Sequence, residues 1–443
     1  MTTPAASKSE LELLDTLQQE AFRYFRQETN MVNGMVLDKT SADWPASIAA
    51  IGLGLACYPV AVERGWISRA DAIGIVRTSL QFLASAPQSE AADATGYRGC
   101  YYHFLDMHTG RRARGCEVST VDTALLLAGA LTCAAYFQRD DGIEREIRDL
   151  ADVLYCRVDW PWAQNGNPAV AQGWLPESGF VDYRYQGYDE ALILYLLGLG
   201  APDQPLSLAS YSVWGSSYEW KRVHGIEYLY AGPLFTHQLS HIWVDFRGIQ
   251  DEFMRGKGID YFENSRRATC IQQRYAIANP HGFRAYGEFA WGITASDGPG
   301  EVTRKIDGID RRFYDYAARG VPYGPDDGTL APWAVLASLP FAPDLVLPTI
   351  VRMNEQELRS GHQYGFWSTF NPTFIEATGD AVGWHSPYHF GLAQGPILLM
   401  IENYRSGLIW ELMRSCPYLV AGLHRAGFTG GWLSNAVKSP PGA

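Results

Sequence analysis

Two kinds of helical run alternate along this chain: some are apolar on nearly every side, others on one face only. "PASIAAIGLGLACYPVAVERGW" (45–66), "STVDTALLLAGALTCAAYF" (119–137), "YDEALILYLLGLG" (188–200) and "QGPILLMIENYRSGLIWELM" (394–413) are of the first kind. A helix apolar all round has to be covered all round. The opening helix is of the second kind, with Leu11, Leu14, Leu17, Ala21 and Tyr24 at helical spacing. Ser68 and Asp71 form an S-x-x-D start signal for the helix through "AIGIVRTSLQFLASA". "GIEREIRDLADVLYCRV" (142–158), "GPLFTHQLSHIW" (232–243), "DYFENSRRATCIQQRYAIANP" (260–280) and "APWAVLASLPFAPDLVLPTIVRMNEQEL" (331–358) continue the helical series. Strands and helices do not alternate. The simplest packing is an all-α toroid of about a dozen helices in two concentric rings, the inner ones buried on both sides. Its functional cleft would lie where inner-helix N-termini meet the long Gly- and aromatic-rich loops. Short strands are expected in "GYRGCYYHFLDMHTGRRARG" (96–115), where YYHFLD alternates ahead of a turn. Neither an internal repeat nor a Ser/Pro linker divides the chain, so one domain over 1–443, with a core of about 10–433, is expected.

Composition narrows the partners. The net charge is −12, which argues against nucleic acid or an anionic membrane, since phosphate binding needs a basic face. An uncharged substrate suits it. The chain has 14 Trp, 25 Tyr and 19 Phe. Such an excess fills a large core, and it also suits a carbohydrate cleft, where rings stack on the C–H faces of sugars. The seven cysteines are odd in number, form no C-x-x-C, and read as small buried hydrophobes. The N-terminus carries no apolar leader segment and no run is long enough to span a membrane, so a cytoplasmic monomer is expected, or a periplasmic one if a leader precedes it.

Chemistry needs placed acids. "CEVSTVDTALLLAG" sets Glu117 and Asp122 at the start of a buried helix, where capping explains one of them and a cleft explains both. "GYDEALILYLLGLG" sets Asp189 and Glu190 in the first turn of another apolar helix. Asp189 suits a cap; Glu190 then faces surroundings that should raise its pKa, as suits a general acid. "WGITASDGPG" (291–300) and "YGPDDGTLAPWA" (323–334) are turn-like loops with aromatics beside buried runs, and "GWHSPYHFGLA" (383–393) crowds Trp384, His385, Tyr388 and His389 before another. His237/His241 and His385/His389 stand i,i+4, but no HEXXH and no third ligand accompanies them, so no metal or other cofactor is expected.

Seven ordered stretches resemble the glycoamylase-like family of bacterial (α/α)6-barrel proteins, which includes endo-β-1,2-glucanases and a segment of cyclic β-1,2-glucan synthases. They are "YYHFLDMHTG", "CEVSTVDTALLLAGAL", "GYDEALILYLLGLG", "YAGPLFTHQLSHIWVDFRG", "FAWGITASDGPG", "DDGTLAPWAVLASLPFAP" and "QGPILLMIENYRSGLIW", within residues 15–433. The resemblance implies a metal-independent glycoside hydrolase that cleaves β-1,2-glucan internally and with inversion. It implies Glu190 as the acid, with Glu117 and Asp122 in the cleft. Trp291, Asp297, Tyr323, Trp384, His385, Tyr388 and His389 are expected to bind the sugar. Relatives commonly read G-I-D-Q-G-P, with the Asp a proposed base, where this chain reads Gly391-Leu392-Ala393-Gln394-Gly395-Pro396. Asp122, Glu117 and Asp380, in that order, are the substitutes considered for the base. Rival readings are transglycosylation, exo-cleavage of a related glycan, or a binding protein without catalysis.

Overall fold

The computed structural model describes residues 6–359, 363–375 and 383–436. Helices form where the apolar runs lie, and polar caps start half of those named here. They are α1 (Lys8–Gln27), α2 (Ile48–Glu63), α3 (Arg69–Ser85), α4 (Thr120–Tyr136), α5 (Gly142–Cys156), α6 (Leu192–Gly200), α7 (Tyr261–Ala278), α8 (Pro332–Ala337), α9 (Pro343–Glu355), α10 (Gly391–Arg405), α11 (Leu408–Arg414) and α12 (Pro417–Arg425). Shorter helical turns lie between some of them. Ser47, Ser68, Ser119, Asp141 and Asp260 each accept a backbone N–H from the first turn of α2, α3, α4, α5 and α7. The fold is thus mostly helical, with a few short strands.

Packing follows the two kinds of run. α10 packs on α2, α2 on α4 and α4 on α6. From the start of α6, the Ile193 N–H donates to Ser240 Oγ, tying it to the segment 234–242. From that segment the Gln238 amide donates to Ala334 O and Ser338 Oγ at α8, and α8 packs back on α10. The amphipathic helices cover this set: α1 against α10, α3 and α5 outside α2 and α4, and α12 on α6. α2 and α4 touch at their glycines. A Cβ on Gly129 would stand 1.9 Å from Gly52 O, and one on Gly52 would stand 2.4 Å from Leu125 O.

Four helical expectations change in detail. The run at 188–200 becomes helical only at Leu192, so Asp189 and Glu190 precede the helix instead of forming its first turn. The run at 232–243 forms two 3₁₀ turns, Leu234–His237 and Leu239–Ile242. Gln238 separates them at φ −122°, its side chain drawn toward α8. Pro340 and Pro343 divide 331–358 into α8 and α9. Gly407, at φ +73°, divides 394–413 into α10 and α11.

Gly96–Tyr97, Cys100–Tyr102, Val118–Ser119, Gly173–Leu175 and Gly179–Phe180 form an antiparallel sheet in that order. It leads directly into α4 through Ser119, so its register fixes the acids around that helix start.

Candidate active site

The starts of α4, α6 and α10 converge on a cavity of about 500 Å³. Glu117, Asp122, Glu190 and His103 line it, with Tyr183, Tyr185, Phe235 and Tyr316 among the aromatic walls and Leu392 from α10. The three acids singled out from the sequence are therefore brought together. The Ser119 hydroxyl donates to Asp122 at 2.6 Å, while Ser119 Oγ accepts the Asp122 N–H, a cap that also aims the carboxylate. The His103 N–H donates to Glu117 O across the strands, setting the imidazole beside both acids. His103 Nδ1 lies 3.1 Å from Glu117 Oε1, and Nε2 lies 3.6 Å from Asp122 Oδ2.

Charge in the cavity is finely opposed. Burial by itself would drive His103 down, but the carboxylates of Asp122, Glu117 and Asp38 outweigh it and carry the imidazole up to about 9. Burial pushes Glu117 up, but the hydrogen bond and charge of His103 prevail and hold it below the ordinary range. Glu190 lies the other way: burial raises its carboxyl, and the negative charge of Asp122 adds to the rise. Asp189 is raised too, by burial and then by the charge of Glu190. The Trp214 indole N–H and the Ala191 N–H both donate to Asp189 Oδ1, at 2.9 and 3.0 Å. Asp189 is not among the cavity's walls and Glu190 is, so of the two neighbours Glu190 is the one placed to give a proton to a bound sugar.

A second, smaller cavity adjoins the first, and Tyr316 and Leu392 form walls of both. It measures about 30 Å³ and is lined by Asp297, Ser296, Ser368, Thr369, Trp333 and Ala393, among others. Asp297 is 8% exposed and accepts the Ser386 hydroxyl on Oδ2 at 2.7 Å.

The other expected sugar-binding residues stand elsewhere. Trp291 is fully buried and donates its indole N–H to Thr349, so it belongs to the core and not to the cleft. An aromatic beside a buried run was here itself part of that run. Tyr323 is exposed, but it packs on Tyr230 and under Lys221, away from both cavities. Trp384 and His385 form a two-residue strand against Phe370–Asn371, and His385 stacks flat on Trp367 at 4.1 Å. Tyr388 lies beneath Lys39, and His389 is buried against Tyr364. None of these four lines either cavity. His237 and His241 are core residues, lowered by burial to about 4 and about 3. Asp380 lies outside the described residues.

Sequence reasoning missed His103, Asp38 and Tyr316. The alternation of YYHFLD held the signal for His103, because the strand pairing sets it against Glu117. The Trp44 indole N–H donates to Asp38 at 2.9 Å, and burial raises the Asp38 carboxyl. Tyr316 follows the hairpin Val302–Ile306/Ile309–Phe313, and nothing in the linear sequence points it at the acids.

Residues 182–417 match the Glycoamylase (glucoamylase) family model. An exo β-1,2-glucooligosaccharide sophorohydrolase (non-reducing end) of Parabacteroides distasonis is 30% identical over 94% of this chain. The chain spans 57% of that curated relative's length. An endo-β-1,2-glucanase from Chitinophaga pinensis, solved with sophorotriose and glucose, is 26% identical at a TM-score of 0.83, covering 97% of this chain and all of its own. A β-1,2-glucanase from Parabacteroides distasonis is 27% identical at a TM-score of 0.82, covering 96% of this chain and 61% of its own. By the family match and the 30% identity over most of its length, the chain belongs to the glycoamylase-like family.

Proposed function

We propose that this protein is a glycoside hydrolase that cleaves β-1,2-linked glucan, with Glu190 as the proton donor. The observation that carries the reading is Glu190 itself: a carboxyl raised by burial, in one cavity with the carboxylates of Glu117 and Asp122. The aromatic walls supply flat apolar surface for glucose rings, and Tyr183 and Tyr316 are 75% and 60% exposed at the cavity. His103 and its acids offer donors and acceptors to sugar hydroxyls. The Chitinophaga and Parabacteroides proteins act, by their names, on the same linkage. The fold we propose is a single (α/α)6 toroid, since the succession α2, α4, α6, 234–242, α8 and α10 returns to its start.

We expect cleavage within the chain and inversion at the anomeric carbon, with a water admitted between acid and base. Exo-release of disaccharide is the second reading, favoured by the likeness to the sophorohydrolase. The early products from linear β-1,2-glucan decide: a ladder of oligosaccharides supports internal cleavage, sophorose alone supports exo-action, and no new reducing ends would overturn both.

A further inference from the structure

Resting on that hydrolytic reading, we infer that Asp297 is the general base, holding the attacking water in the small cavity beside Ala393. Hydrolysis by direct displacement needs a carboxylate with a free oxygen facing a space for one water, next to the acid's cavity. Glu117 and Asp122 are both drawn to His103, and Asp122 also takes the Ser119 hydroxyl. Asp297 differs. Its Oδ2 accepts from Ser386, and its Oδ1 has no hydrogen-bond partner among the described residues.

The cavity suits a single ordered water. Its volume of about 30 Å³ exceeds what one water needs. A buried water also needs polar partners, and the walls hold them unspent. Ser368 and Thr369 are 3% and 1% exposed, and neither hydroxyl has a partner among the described residues. Two buried hydroxyls without partners carry a cost that a shared water removes. Ala393 keeps the space open, because it presents only a methyl group at the start of α10. Tyr316 and Leu392 are walls of both cavities, so the space that Asp297 lines adjoins the space that Glu190 lines.

In the step itself, the water oxygen bonds to the anomeric carbon as the glycosidic C–O bond breaks. Glu190 gives its proton to the departing sugar oxygen, and Asp297 takes one proton from the water. Exchange with solvent returns both carboxyls to their starting states.

The test is Asp297→Asn on linear β-1,2-glucan, with wild type alongside. The amide keeps an oxygen for Ser386 but cannot accept the proton. The kcat should fall by about 100-fold or more, with KM little changed. Azide attacks without losing a proton, so it should restore turnover in Asp297→Ala and give a glycosyl azide of inverted configuration. Adding Ala393→Asp to Asp297→Asn should also recover turnover, because it puts a carboxylate into the same cavity. Should Asp297→Asn fold poorly, Asp297→Ala carries the test: recovery of turnover with azide supports the assignment and no recovery overturns it. An active Asp297→Asn in an active background overturns the base assignment alone. So does a loss expressed in KM, or one that azide cannot repair. A wild type silent on β-1,2-glucan overturns the hydrolytic reading and the base with it.

Discussion

His103 is the cation that lets Glu117 and Asp122 share one small space. Its imidazole is carried from an ordinary 6.5 up to about 9, so its contribution to stability is complete below about 6.5 and fades as pH rises through about 9. Thermal melts across that window should fall more for wild type than for His103→Gln; parallel curves would mean that the imidazole is neutral. Glu190 sets a different limit. As an acid it must be protonated, so the alkaline limb of kcat should decline as pH rises through its raised pKa. A pH–kcat profile with its alkaline limb in the ordinary glutamate range would contradict the burial argument. Trp291 belongs to the core, and Trp291→Phe should lower stability by about 1–2 kcal/mol through lost contacts and the lost hydrogen bond to Thr349, leaving KM unchanged. The three acids were legible in the sequence because helix starts concentrate capping patterns. Trp291 was misread because a Trp beside a buried run looks the same whether its ring faces sugar or core.

At the scale of elements, the apolar runs specified the helices well and their ends less well. A run apolar on all sides has no polar face to mark where it breaks, so only Pro340, Pro343 and Gly407 could signal the divisions of 331–358 and 394–413. The short strands were harder still: two residues carry no period, and the pairing of Tyr101 with Ser119 is written in the tertiary fold. One contact tests the inner packing directly. Gly129→Ala places its methyl group against the α2 backbone at Gly52, where no side chain can swing away. It should cost roughly 1–3 kcal/mol in urea denaturation, and more if the helices cannot part. A variant as stable as wild type would show that α2 and α4 stand farther apart than described here.

For the whole molecule, the composition points to a class of substrate and not to the place where it would bind. The net charge of −12 fits a neutral glucan, and association with a neutral ligand has no long-range field to screen, so kcat/KM should barely respond to added salt. A steep fall with ionic strength would point to a charged substrate. Placing the site took the fold, which brings the starts of α4, α6 and α10 to one cavity from positions far apart in the chain. The central claim is that this cavity hydrolyses β-1,2-glucan with Glu190 as its acid. The direct measurement is reducing-end release from linear β-1,2-glucan by wild type and Glu190→Gln, with β-1,3- and β-1,4-glucans as controls. Wild type should act on the β-1,2 polymer alone, and Glu190→Gln should fall by roughly 10²–10⁴-fold while folding normally. An inactive wild type, or a Glu190→Gln variant that turns over as fast as wild type, would contradict it.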